Sequence, residues 1–292
     1  MPRPQLLRSL VTAGVVFTAP VALSAQGGAA ARTPRADSTR EASRLDVEGQ
    51  TTKARAIFQA QIDNAPDAAA KAAAQRAMAI SYAFDGDCAN TVKYETLVIA
   101  YWATREAAEP QNAFYQQGEM ANEAARVCID AGNLDVAEVW YRKGTALGLK
   151  EPSPKTHPTS LWNFRLAHAL GRLAARRGNA SEAAKQIADA RKILAGDSAM
   201  AAAQARFLPY LEGYVALYTG DLAGASSHLT SALALQGNGT DPFMISLLAM
   251  TYEKQGKAAD AKALWQKAYD LATAHNPPAA FARPMARKKL GA

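Results

Sequence analysis

Six times in 292 residues an apolar helical stretch runs into a glycine-centred turn and on into a second helical stretch. The turn glycines are Gly49, Gly86, Gly132, Gly178, Gly220 and Gly256. Seven residues before them stand Ala42, Ala79, Ala125, Gly171, Gly213 and Ala249, all small. Five residues after them stand Ala54, Thr91, Ala137, Ala183, Ala225 and Ala261. Small residues belong where two helices cross closely, so these columns mark crossing points. Repetition at this period predicts a stack of helical hairpins in an all-α chain. The abundance of Ala, the best helix former, agrees.

The same grid extends outward. Four residues before the turn come Leu45, Tyr82, Cys128, Ala174, Ala216 and Tyr252; nine after it come Phe58, Glu95, Tyr141, Ile187, Leu229 and Trp265. Twelve after it come Gln61, Val98, Gly144, Ala190, Ala232 and Ala268. A bulky side chain in the ninth place fills the space between hairpins. In the last hairpin Asp241 and Pro242 start a helix as N-cap and first position. Its second helix spans about 258–273, with Ala261, Trp265 and Ala268 on one face, and His-Asn-Pro-Pro at 275–278 ends it. Two hairpins depart. The second has Thr91 and Glu95 where Ala and a bulky apolar residue belong, which predicts a second helix that starts late or is rotated. The first has Gln61 in an apolar column, with Pro66 following where the helix should end.

This pattern resembles the tetratricopeptide repeat (TPR). The residues that carry the resemblance are the small residue within the first helix, the turn Gly, the Ala and aromatic of the second helix, and a closing Pro. Asp221-Leu222-Ala223-Gly224-Ala225 and Lys257-Ala258-Ala259-Asp260-Ala261 look like that family's entry into its second helix. The resemblance covers about residues 41–275 and is closest in the last three hairpins. It implies a right-handed superhelical array of about six hairpins, an α-solenoid. Turn glycines lie 37, 46, 46, 42 and 36 residues apart, longer than a repeat of about 34. Residues 151–158 hold three prolines and cannot be helical. They divide the array into residues 41–150 and 159–275, two sub-arrays expected to pack together with room for hinging.

In the family the first helices line a concave groove. The positions in register lie 13, 10, 6 and 3 residues before each turn Gly. They offer Asn122, Arg126, Arg165, His168 and Arg172 as a cationic patch and Tyr210 and Tyr214 as aromatic surface. These seven are the candidate peptide-binding residues. Some TPR domains hold a peptide's terminal carboxylate with Asn, Lys and Arg; Asn122, Arg126 and Arg172 are similar in kind, without the full set. The alternative is a solvated helix face beside ordinary packing between repeats.

The N-terminus reads as a secretory signal over residues 1–25. Arg3 and Arg8 precede an apolar stretch from Leu10 to Leu23, and cleavage is expected after Ala25; an uncleaved membrane anchor is the alternative. No later segment is apolar enough to span a membrane, so no stable membrane insertion is expected after cleavage. Residues 26–40 read as a disordered spacer. Loss of Arg3 and Arg8 lowers the formal charge from +7 to +5, too mild for a nucleic-acid binder. Cys88 and Cys128 flank a reversal at Glu109-Pro110, which brings them near the same end of an antiparallel pair, offset by roughly 6 Å. They are a candidate disulfide in an oxidising compartment, or two buried thiols. His157, His168, His228 and His275 are scattered, and no pair has metal-ligand spacing. No phosphate loop, nucleophile elbow or zinc motif occurs, so no catalytic residue, metal or cofactor is assigned. Residues 276–292 form a basic tail, read as a contact with an anionic surface, a solvated end, or a last helix capping the array. The expected function is that of an exported scaffold or adaptor, periplasmic or secreted, binding a protein or peptide. A structural assembly subunit is the runner-up, and an enzyme on a repeat scaffold ranks third.

Overall fold

The computed structural model describes residues 33–291; the expected signal segment, 1–25, and residues 26–32 of the expected spacer lie outside them. No strand occurs among the described residues. Six hairpins follow the predicted order. They are α1 Pro34–Val47 with α2 Thr51–Asp63, α3 Ala68–Phe84 with α4 Cys88–Ala103, and α5 Pro110–Asp130 with α6 Leu134–Gly148. Then come α7 Thr159–Arg176 with α8 Ala180–Gly196, α10 Leu208–Thr219 with α11 Leu222–Ala234, and α12 Pro242–Lys254 with α13 Ala258–Leu271. A short α9, Ser198–Gln204, bridges hairpins four and five, and α14, Pro277–Leu290, follows the last.

The reversals have one physical cause. All six turn glycines adopt positive φ, between 67° and 93°, a region that costs a side chain and not Gly. In five of them the residue after Gly donates its N–H to the carbonyl five residues back, at 2.7–3.0 Å, which satisfies the end of the first helix. That same residue then starts the next helix. Asp87, Asn179 and Asp221 each accept the N–H three residues on, at 2.9–3.0 Å.

The columns fall in the core. Ala42, Ala79, Ala125 and Ala249 are fully buried, as are Ala54, Ala137, Ala183 and Ala225. The two irregular hairpins keep their register. α4 is neither late nor rotated: it starts at Cys88, and Thr91 and Glu95 lie buried in the positions that Ala and a large apolar residue fill elsewhere. Thr91 tolerates this by donating to the Ala79 carbonyl at 3.3 Å. Gln61 is held by Ser38 and Thr39 at 2.7 and 2.9 Å. Those partners correct the spacer boundary, because residues 34–40 are the first turns of α1, capped by Thr33.

The proline-rich segment 151–158 is irregular, as its composition dictates, yet it is pinned. Buried Glu151 accepts the N–H groups of Thr156 and His157 and meets His157 Nδ1 at 2.9 Å. His157 stacks on Tyr115 at 3.9 Å. Trp162, the first aromatic residue of α7, lies against Gly118 and Gly148, where a Cβ would come within 2.4 and 2.0 Å of its ring. Residues 33–291 form one compact unit, and the segment is closely packed within it.

The tail is the largest departure from the sequence reading. It folds as α14 and packs against α1, α3, α5, α12 and α13, so the last helix of the chain closes onto the first hairpins. Its Phe281 joins a core that also takes Ile80 and Phe84 of α3, Val127 of α5, Tyr210 and Tyr214 of α10, and Leu247 of α12.

Candidate functional site

Three helices each carry polar or aromatic side chains at four-residue spacing, which places them on one face. α5 contributes Arg126 and Asp130, α7 contributes His168, Arg172 and Arg176, and α10 contributes Tyr210, Tyr214 and Tyr218. These ladders converge, and Tyr141 of α6 completes the cluster. Arg172 is its centre and is only 6% exposed. It donates from Nη2 to the Tyr141 hydroxyl at 2.9 Å and from Nη1 to the Tyr210 hydroxyl at 3.5 Å. Its guanidinium carbon lies 5.5, 6.0 and 5.8 Å from the ring centres of Tyr141, Tyr210 and Tyr214. Its Nε has no partner among the described residues. Arg176 donates to the Tyr214 hydroxyl at 3.3 Å, sits 4.8 Å from the Tyr218 ring, and approaches Asp130 at 3.8 Å.

Charge in this cluster is unbalanced. Three guanidiniums face Asp130, with Asp241, the N-cap of α12, in electrostatic reach of Arg126. Burial pushes the Asp130 carboxyl up to about 6, against the pull of Arg172, Arg126 and Arg176. Burial, and then the Arg172 charge, hold His168 well below its ordinary value, so its imidazole is neutral. Burial raises Tyr210 to about 12 and Tyr214 well above its ordinary value, so both remain phenols. The interior is cationic, aromatic and rich in O–H donors. Such a lining can hold an anionic group by charge-assisted hydrogen bonds.

Of the seven candidates, the fold brings Arg126, His168, Arg172, Tyr210 and Tyr214 together. The other two sit apart. Asn122 is wedged at the crossing of α5 and α6, where its Oδ1 would lie 2.5 Å from a Cβ on Gly144. Arg165 pairs with Glu119 and lies over Trp162 at 5.0 Å and Tyr115 at 5.6 Å. One correction follows: His168, Arg172, Tyr210 and Tyr214 are buried, not exposed on an open face. Their rings pack on each other and on the core that receives Phe281. The register positions missed Asp130, Arg176 and Tyr218, each two residues before its turn Gly. Extending the 10-and-6 spacing by one more helical turn finds all three.

A second polar cluster lies toward the other end of α5. Arg76 of α3 donates to Glu123 at 2.9 Å. Glu95 of α4 is fully buried, and neither carboxylate oxygen has a partner among the described residues. Burial, then the neighbouring Glu123 charge, raise the Glu95 carboxyl well above its ordinary value, with Arg76 opposing. Nearby, Cys88 and Cys128 are joined in a disulfide with Cα atoms 4.7 Å apart, tying the start of α4 to the end of α5.

Two open clefts lie elsewhere. One, between α8, α10 and α11, is lined by Arg191, Glu212 and His228; the other, between α6, α7 and α8, by Glu138, Arg142 and Arg177. None of the seven candidates lines either. Among the described residues no three His, Cys, Asp or Glu side chains gather as a metal site, and no helix is long and apolar enough to cross a membrane. No protein-family profile matches the chain, and no curated protein matches it significantly.

Proposed function

We propose that this chain is an exported binding scaffold. Its six TPR-like hairpins form a right-handed superhelical array that holds a protein or peptide ligand in the periplasm or cell envelope, and it acts by binding without catalysis. The observation that carries the reading is Arg172, a buried guanidinium bonded only to phenols among the described residues, beside Arg126 and Arg176 and near the Asp130 carboxylate. A ligand carboxylate would meet complementary charge at half-buried Arg126 and Arg176, beside the partly exposed Tyr218 ring.

The test is crosslinking capture from envelope extract by the wild type beside Arg126→Glu and the double variant Arg126→Glu/Arg172→Glu. Circular dichroism checks that each is folded. Half-buried Arg126 lets the single variant report on the site even if the double variant unfolds. A partner captured by the wild type and lost with Arg126→Glu supports the reading; the same partners captured by folded variants refute it. Export is tested separately by N-terminal sequencing, which should begin at Gln26.

A second reading, an assembly subunit that packs through its outer faces, has its own observation. Val136 and Val139 of α6 are 40% and 63% exposed. In that case Val139→Lys would change the assembly mass measured by light scattering.

A further inference from the structure

We propose that α14 is an intramolecular ligand. It occupies the first-helix face of hairpins one, two, three and six, and it is released when an external ligand takes that face. The regulatory consequence rests on the reading of this face as the ligand surface; the release itself does not.

The seat is built from both ends of the chain. Arg283 Nε and Arg287 Nη2 each donate to the Val47 carbonyl at 2.8 Å. Val47 ends α1, where helix carbonyls are unpaired and the dipole is negative, so two cations are well placed. Arg283 Nη1 also donates to the Tyr269 carbonyl at 2.8 Å, and its guanidinium lies 3.9 Å from the Tyr269 ring. Gly49 makes room for the second arginine, since a Cβ there would come within 2.0 Å of Arg287 Nη1. Just before α14, His275 Nε2 meets Asp46 Oδ2 at 2.7 Å, while Ser81 donates to the other oxygen at 2.8 Å. The His275 ring sits between Phe58 and Phe84, at 5.3 and 5.7 Å. Finally, Phe281 lies 5.6 Å from the Arg126 guanidinium, so α14 touches the arginine–tyrosine cluster itself.

The inner surface of α14 differs from that of a core helix. Its buried residues are Pro277, Ala279, Ala280, Phe281, Ala282 and Ala286, with one large side chain among them, and Met285 and Leu290 are partly buried beside Trp265. α12, a permanent wall, buries Phe243, Met244, Ile245, Leu247 and Leu248. α14 therefore gains less from apolar burial than α12, and much of its hold comes from arginine–carbonyl bonds that water can replace on release. Such a helix is specific in its seat and cheaper to move than α12. The partner chemistry that competes is a helix with small residues on one face, one aromatic, and two arginines four apart.

The experiment uses the full chain with a protease site inserted between Thr273 and Ala274. Cleavage severs residues 274–292 without removing them. The probe is a fluorescein-labelled synthetic segment of residues 274–292, followed by anisotropy. The cut chain should exchange its own segment for the probe. The uncut chain, whose segment is tethered at high effective concentration, should take up at least 100-fold less. A probe with Arg283→Glu and Arg287→Glu should bind at least tenfold more weakly, and an uncut chain with those two substitutions should admit the wild-type probe. A folded cut chain that takes up no probe, or a cut chain that loses its helical signal, would make α14 a fixed wall and overturn the proposal. Equal uptake by cut and uncut chains would place the probe elsewhere and overturn it too. No readout involves an external partner, so failure here leaves the Arg172 reading standing, and failed capture of a partner leaves this one standing.

Discussion

Glu95 gives the sharpest physical prediction. It occupies the column filled elsewhere by Phe58, Tyr141, Leu229 and Trp265, it is fully buried, and its oxygens have no partners among the described residues. Burial first, then the Glu123 charge, hold its proton on in the folded chain. The unfolded chain releases that proton in the ordinary glutamate range. Above that range the folded state therefore binds more protons than the unfolded state, and stability falls as pH rises. The loss is about 1.4 kcal/mol for each pH unit over which only the folded state keeps the proton. It ceases once pH passes the raised folded-state value. Glu95→Leu removes the titration and supplies the apolar group that other hairpins use. Within the ordinary glutamate range it should stabilise the protein by about 1–3 kcal/mol, the cost of an unsatisfied buried polar group, with the gain growing as pH rises above that range. Glu95→Gln should flatten the pH dependence with a smaller gain. Urea unfolding of the three proteins at pH 5, 6, 7 and 8 measures both effects. Parallel stability–pH curves for wild type and Glu95→Leu would refute the reasoning, as would a variant less stable at every pH.

Other outcomes follow from the same physics. Reducing the disulfide, or the double variant Cys88→Ser/Cys128→Ser, frees a 40-residue loop and should cost about 4 kcal/mol, read as a lowered melting temperature. Gly178→Ala, at φ 73° with no atom within 4 Å, should cost only the left-handed backbone penalty of about 1–2 kcal/mol. Gly213→Ala should cost more, because its Cβ would come within 2.6 Å of Leu229; denaturant titration ranks the two. Asp130 competes with any bound anion for Arg172 and Arg176, so anionic-ligand affinity should rise as pH falls through about 6. Asp130→Asn should abolish that change in calorimetric titrations, and a persisting pH dependence would place its source elsewhere.

The hairpins were legible because everything that makes them is local. A turn Gly, a cap one residue later and small residues at fixed offsets act within two helices that follow each other in the chain. The register they set holds even for Thr91 and Glu95, whose chemistry argues against it, because neighbouring helices and the disulfide leave α4 no other seat. Most of the candidate cluster was legible for the same reason: Arg126, Arg172 and Tyr214 share one register position in three successive hairpins. Local order does not decide whether such a face meets water or protein. That depends on how successive hairpins pack on one another, and on what packs against the result. Here Arg283 and Arg287 reach Val47 across 236 and 240 residues, and His275 reaches Asp46 across 229. No periodicity encodes such contacts. The sequence by itself determined the hairpins and the faces they carry; only the tertiary structure decided that the basic tail returns to α1 and that Arg172 lies buried among tyrosines.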